Sequence, residues 1–196
     1  MIEIKNLSIS YEAERVIDSF SLHVEKGEHI AIMGPSGCGK TSLMRAISGL
    51  LNPEKGSVEL RGRISCVFQE PRLLPWLSAL ENINAVLSDS PSTLPEAEKW
   101  LRAVWLAEAA DKRPGELSGG MQQRLSIARA LAYGGDVLLL DEPLKGMDAE
   151  TENTVAELIL RESAGKTLVL VTHDEDEANR FADRVYIYRD KGFYLK

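Results

Sequence analysis

Cysteine is scarce in this chain: Cys38 and Cys66 are the only two among 196 residues. Two thiols cannot build a disulfide framework, so an apolar core has to hold the fold, and a reducing compartment is expected. Long apolar runs are lacking as well. None reaches the roughly 18 residues of a membrane span, and the opening stretch MIEIKNLSISYE has neither the basic flank nor the apolar stretch of a secretory signal. Basic charge is in deficit, with 23 Lys and Arg against 30 Asp and Glu and a net charge of -7. That balance excludes a general nucleic-acid binder, which would show a basic surface, while leaving a local basic patch open. Internal repeats and low-complexity tracts are absent too, which excludes solenoids and fibrous arrays. The tripeptide Asn6-Leu7-Ser8 fits a glycosylation sequon, but nothing else points to secretion.

What remains is ordinary globular material, 44% hydrophobic and 27% charged. Period-two apolar spacing predicts strands at IEIKNLSISY and FSLHV. HIAIM is a short apolar run ending in glycine, which suits a buried strand. Thr41 to Leu51 carries Leu43, Ile47 and Leu50 on one helical face, and SVEL and ISCVF read as further strands. Beyond Gln69 the strand signal fades. Leu77 to Leu87 and Pro95 to Ala110 read as helices, joined by the Ser- and Pro-rich linker SDSPSTLPEAEK. Trp100, Leu101, Val104 and Trp105 form an apolar stripe, read as core packing. From Ser118 a helix to about Tyr133, the strand DVLLLD, a helix from Glu150 to Glu162 and the strand TLVLVT alternate, and RVYIYRDKGFYLK reads as a hairpin. The expectation is an α/β fold with a mostly parallel sheet covered on both faces, a β-rich N-terminal part and a small helical insertion. Residues 1-69 and 115-196 form the α/β core and residues 70-114 the insertion, within one domain spanning 1-196.

Two glycine-rich stretches stand out. GPSGCGKT, Gly34 to Thr41, satisfies G-x-x-x-x-G-K-[ST] between an expected strand and an expected helix. Gly34, Gly37 and Gly39 let the backbone bend so that N–H groups point inward at phosphate oxygens. The helix N-terminus adds partial positive charge. Lys40 is expected to reach the β- and γ-phosphates, Thr41 to offer its hydroxyl to Mg²⁺, and Ser42 to bond the α-phosphate; Pro35, Ser36 and Cys38 complete the loop. In VLLLDEP, Asp141 and Glu142 emerge at the C-terminal end of a buried strand, the edge where open α/β sheets bind ligands. Asp141 is expected to hold Mg²⁺, and Glu142 to polarise an attacking water as general base. His173 ends TLVLVTH at the same edge, placed for the γ-phosphate, whereas His23 and His29 are read as structural. Gln69, after ISCVF, is placed to sense both Mg²⁺ and the lytic water. The second glycine-rich stretch is LSGGMQQR, Leu117 to Arg124, where Ser118, Gly119 and Gly120 open a helix and can meet an anion.

In this combination and order, the pieces resemble the nucleotide-binding subunit of an ATP-binding cassette (ABC) transporter over nearly the whole chain. By that resemblance GPSGCGKT is Walker A, VLLLDEP is Walker B, Gln69 lies in the Q-loop, LSGGMQQR is the signature motif, Asp148 is the D-loop aspartate and His173 the switch histidine. Tyr11 stands where the family's aromatic stacks on adenine. The resemblance implies ATP and Mg²⁺ as ligands and a head-to-tail homodimer, in which the signature loop of one copy covers the γ-phosphate held by the other. Three departures matter. Met121 replaces the commoner glutamine, Lys145 and Met147 stand in the D-loop LKGMD where serine and leucine are usual, and, with so short a run after the His173 helix, the regulatory C-terminal domain of some importer cassettes is not expected.

FQEPRLLPWLSALENI, Phe68 to Ile83, resembles the corresponding region of cassettes serving nitrate, sulfonate, taurine and bicarbonate importers. The resemblance implies a membrane permease docked near Arg72 to Trp76, with Leu73, Leu74, Pro75 and Trp76 as an apolar dock. A bacterial-type importer ATPase on the inner face of the cell membrane is the expectation. An exporter cassette and a soluble, non-transport cassette ATPase are the alternatives. DKRPGELSGG lacks the acidic stretch many exporters place before the signature, and no long coiled coil separates Gln69 from Ser118.

Overall fold

A computed structural model describes the chain except for residues 12, 13 and 89, and describes Tyr11 through its backbone alone. The described residues form two compact units. The first comprises Met1–Cys66, Asp136–Glu142 and Ser163–Lys196; the second comprises Val67–Gly135 and Pro143–Glu162. The second unit therefore reaches past the expected insertion of residues 70-114 to take in two more helices.

In the first unit, β1 (Ile2–Tyr11) pairs antiparallel with β2 (Glu14–Val24) and with β4 (Lys55–Leu60). Ile2, Ile4, Leu22 and Val24 are buried, as period-two spacing requires of a strand with one covered face. The six-stranded sheet runs β5 (Ile64–Val67), β6 (Val137–Asp141), β7 (Thr167–Thr172), β3 (His29–Met33), β8 (Arg184–Arg189), β9 (Gly192–Leu195). β6, β7, β3 and β8 are parallel neighbours. Every residue of β6 and β7 is buried, which is why both read as continuous apolar runs rather than alternating ones.

Register decides what the sheet can do. Met33 lies opposite Thr172 and Ile187, and Asp141 opposite Val171. The C-termini of β3, β6 and β7 thus end level, so Gly34, Glu142 and His173 leave the sheet at one edge.

Helix α1 (Lys40–Ile47) follows β3 and stops short of the expected Leu51. Gly49 adopts φ 74°, Gly49 N–H donates to the Ala46 carbonyl (3.1 Å) and Leu50 N–H to the Arg45 carbonyl (2.8 Å). This is a Schellman close, which leaves Leu50 exposed. Between β7 and β8 lies α6 (Glu175–Phe181), N-capped by Asp174. The β8–β9 hairpin turns at Asp190 and Lys191, both at positive φ as a type I′ turn demands.

The second unit carries α2 (Ala79–Asn84), α3 (Leu94–Ala103), α4 (Gly119–Tyr133) and α5 (Ala149–Glu162). The expected helix from Pro95 to Ala110 breaks at Ala103. Trp105 turns to φ 56°, and a separate 3-10 turn covers Ala107–Ala109. The tryptophan stripe is corrected accordingly: Leu101 and Val104 are buried, but Trp105 is 54% exposed. The break rotates Trp105 off the face that a continuous helix would have covered. Trp76, at 65%, is the most exposed large apolar side chain among the described residues.

Candidate functional site

The first unit builds its site on the loop between β3 and α1. Gly39 takes φ 102° at the helix N-terminus and Gly37 takes φ 81°, so the chain can reverse into α1. At Gly34 the constraint is space: a Cβ there would lie 2.7 Å from both Cys38 Sγ and Tyr188 Cβ. Lys40 is buried, and its Nζ donates to the carbonyls of Gly34 (2.6 Å) and Pro35 (2.9 Å). The ammonium is therefore anchored across the loop it belongs to. Burial pushes the Cys38 thiol up, against the pull of Lys40, so it is an inert packing group at neutral pH.

β6 delivers two carboxylates to the same edge with different surroundings. Asp141 is 2% exposed, and Thr41 Oγ1 donates to its Oδ2 at 3.0 Å. Burial raises its pKa, and the adjacent Glu142 adds to this, while Thr41, Lys40 and Arg45 oppose. Glu142 follows at φ 46°, a left-handed conformation that costs a non-glycine residue of order 1 kcal/mol. Its N–H donates to the Val171 carbonyl at 2.9 Å, which holds the strained turn against β7. His173 Nδ1 lies 3.2 Å from Glu142 Oε1. The His173 side chain is 68% exposed and that of Glu142 14%, so the imidazole is the outward member of the pair.

The sequence-expected residues Gly34, Pro35, Ser36, Gly37, Cys38, Gly39, Lys40, Thr41, Ser42, Asp141, Glu142 and His173 all belong to this edge of one sheet. A cavity of about 430 Å³ opens beside it, with Gly34, Pro35, His173 and Glu175 in its wall. His29 bonds the Phe181 carbonyl (3.2 Å) away from this edge. Tyr11's side chain, the expected adenine platform, lies outside the described residues.

The remaining expected residues lie in the second unit. Gln69 is exposed, two residues beyond β5. Ser118 is the N-cap of α4, its Oγ accepting from Met121 N–H at 3.3 Å, and Gly119 and Gly120 form the first turn. Two glutamines that the sequence reading did not single out hold this helix end. Gln122 Nε2 donates to the carbonyls of Pro114 (3.0 Å) and Leu117 (3.1 Å), and Gln123 Nε2 to that of Pro143 (3.2 Å). A Cβ on Gly120 would meet the Gly146 carbonyl at 3.4 Å, so α4 and the 143-148 segment are closely fitted. Asp148 caps α5, accepting from Thr151 N–H and Thr151 Oγ1, each at 2.9 Å, and those donors lower its pKa.

Such an arrangement can hold a polyphosphate. It offers a bent glycine-rich loop, a fixed ammonium, a hydroxyl–carboxylate pair and a strained carboxylate beside an imidazole. Comparison with known proteins agrees. The ABC transporter family model matches residues 17–145. The bicarbonate transport ATP-binding protein CmpD of Synechocystis sp. is 41% identical over 94% of this chain and 72% of its own length. The aliphatic sulfonates import ATP-binding protein SsuB 1 of Rhizobium johnstonii is 41% identical over 95% of this chain and 72% of its own. Among solved structures, the dimeric post-hydrolysis state of the ATP-binding cassette MJ0796 bound to ADP and Pi superposes with a TM-score of 0.92. It is 29% identical and covers 100% of this chain and 98% of that one. On the family model that spans residues 17–145 and on relatives 41% identical over nearly all of its length, this chain belongs to the ABC transporter family.

Proposed function

We propose that the chain is the ATP-hydrolysing subunit of an importer, working as a homodimer beneath a membrane permease. The observation that carries this is the β6 tip: Glu142 lies against His173 while Asp141 takes the Thr41 hydroxyl, at the edge where the phosphate loop also ends. In this reading the loop amides and Lys40 bind the β- and γ-phosphates. Glu142 removes a proton from the attacking water as oxygen bonds the γ-phosphorus and the bond to the β-phosphate oxygen breaks. His173 orients Glu142 and contacts the γ-phosphate, and Tyr11 stacks on the base. Ser118, Gly119 and Gly120 present the N-terminus of α4 to the γ-phosphate held by the second copy, with Asp148 alongside. Loss of that phosphate removes the bridge and lets the pair open.

The donor set suits Mg²⁺. Among the described residues no cluster of three or more His, Cys, Asp and Glu could hold a metal. Thr41 and Asp141 supply one hydroxyl and one carboxylate, as expected of a cation that draws its other oxygens from phosphates and water. Burial raises Asp141 despite the opposing pull of Thr41, Lys40 and Arg45, and a divalent ion would add positive charge beside it. When bound, the ion neutralises charge on the β- and γ-phosphate oxygens; Gln69 is proposed as a further oxygen donor to it.

Among the described residues no helix is long and apolar enough to cross a membrane. Association with the inner face of the cell membrane then depends on a permease, and the exposed Trp76 between Arg72 and Ser78 supports docking there. The names of the bicarbonate and aliphatic sulfonate relatives favour small anions as solutes. Replacing Leu74 and Trp76 by serine tests the docking. The expected result is loss of the co-purifying permease with basal ATP turnover kept; retention of the permease by both variants refutes it.

A further inference from the structure

The loop that carries Trp76 owes its shape to two side chains outside it. Asn82, on α2, is fully buried. Its Oδ1 accepts from Leu74 N–H at 2.9 Å, and its Nδ2 lies within bonding distance of the carbonyls of Leu74 (3.1 Å), Leu77 (3.2 Å) and Ser78 (3.0 Å). Arg129, on α4, donates through Nη2 to the carbonyls of Pro71 (3.1 Å) and Arg72 (3.0 Å) and through Nη1 to Asn82 Oδ1 (3.4 Å). Arg72 itself stands at φ 45° with its guanidinium 4.2 Å from the centre of the Phe68 ring. A left-handed arginine persists only where its surroundings hold it, and the Arg129 bond to its carbonyl does that. Between them, the amide and the guanidinium satisfy main-chain groups at both ends of the loop. Pro75 and Trp76 are left outward at its crest.

Arg129 shares α4 with the signature. Ser118 caps the helix, and Arg129 is eleven residues on, roughly 16 Å along a single unbroken rod. Gln122 and Gln123 fix the near end of that rod to its surroundings, and Arg129 fixes the far end to the loop.

We propose that Asn82 and Arg129 are positioning residues for coupling: they preform the Trp76 loop and tie it to α4, so that whatever engages Ser118 displaces the docking loop with it. This rests on the docking reading above. A preformed loop spares the complex the entropy of ordering it on contact. A loop that flexed independently of α4 would absorb the motion instead of transmitting it.

The test compares Asn82→Ala and Arg129→Met with the parent. Amide hydrogen exchange is read across residues 71-78, and ATP turnover is measured alone and with the permease that co-purifies with the chain. In both variants loop exchange is expected to accelerate roughly tenfold or more, since Asn82 bonds four main-chain groups of the loop and Arg129 two. Protection in α4 and β6 stays at parental levels. Turnover alone is unchanged, stimulation by the permease is lost, and Arg129→Lys recovers part of it. Should Asn82→Ala lose protection throughout, Arg129→Met carries the comparison; global loss in both assigns the pair to folding and overturns the proposal. Parental loop exchange in both variants, or a loosened loop with full stimulation, overturns it equally. A Trp76→Ser control that keeps full stimulation shows that the docking reading has failed, and the coupling proposal falls with it.

Discussion

The loop at residues 34-41 and the loop at residues 71-78 are both shaped to present something, yet they are ordered by opposite means. The first is ordered from within. Its glycines supply the conformations, and Lys40 closes it on the carbonyls of Gly34 and Pro35, no more than six residues back. The second is ordered from outside, by Asn82 and by Arg129, the latter 57 and 58 positions from the carbonyls it holds. A loop that carries its own constraints can be grafted between any strand and helix, and it leaves a local signature in the sequence. A loop held by remote donors depends on the packing of other helices and leaves none.

The sharpest break in that comparison is expected on the first side. Glu142→Gln should slow turnover at least about a hundredfold while ATP still binds and ATP-bound dimers accumulate. Stopped-flow phosphate release and gel filtration read the two properties separately, and a rate near that of the parent removes Glu142 from the role of base. Next in size is Gly34→Val. With Cys38 Sγ and Tyr188 Cβ each 2.7 Å from the first added carbon, the loop must shift. Nucleotide affinity should fall at least about tenfold, in the range of a lost transition from well-packed to displaced donors, as calorimetry would show.

Much of this was legible beforehand. The phosphate loop, the β6 acids and His173 were expected at one strand edge, and the register of β3, β6 and β7 brings them there. Their signals are local: apolar runs that end in glycine, acid or histidine. The break at Trp105 was not legible, because Trp100, Leu101, Val104 and Trp105 satisfy helical spacing and only the φ of 56° removes the last from the stripe. Nor were Asn82 and Arg129, which read as an ordinary helix residue and an ordinary charge until folding surrounds them with carbonyls. The strain at Glu142 and Arg72 was likewise invisible, since neither residue type announces a left-handed backbone.

Smaller effects sharpen the account. Asp141→Asn should raise the melting temperature of the nucleotide-free protein at neutral pH. Burial raises the Asp141 pKa in the folded state, so the native protein binds this proton more tightly than the unfolded chain does. Stability then falls as pH rises from the ordinary carboxylate value through the raised one and stays reduced above it. The gain from asparagine should therefore vanish in acid and be complete above the raised value; thermal melts across that range check it. An equal gain at every pH would mean that packing rather than charge is responsible. Smallest is Ser78→Ala. Ser78 and Glu81 form a capping box, with bonds of 3.2 and 2.7 Å. Its loss should cost about 1 kcal/mol, or roughly 2–4 °C in a chain of this size, and leave the Trp76 loop held by Asn82 and Arg129.

The central claim is that each site for ATP is completed by a second copy, Lys40 from one chain facing Ser118 from the other. Mixing Lys40→Ala protein with Ser118→Arg protein and measuring phosphate release tests it most directly. Each variant alone should be inactive, and the mixture should regain turnover, because the mixed pair contains one intact Walker A facing one intact signature. A mixture as inert as its components, or a Ser118→Arg protein that hydrolyses ATP at the parental rate by itself, would contradict the account.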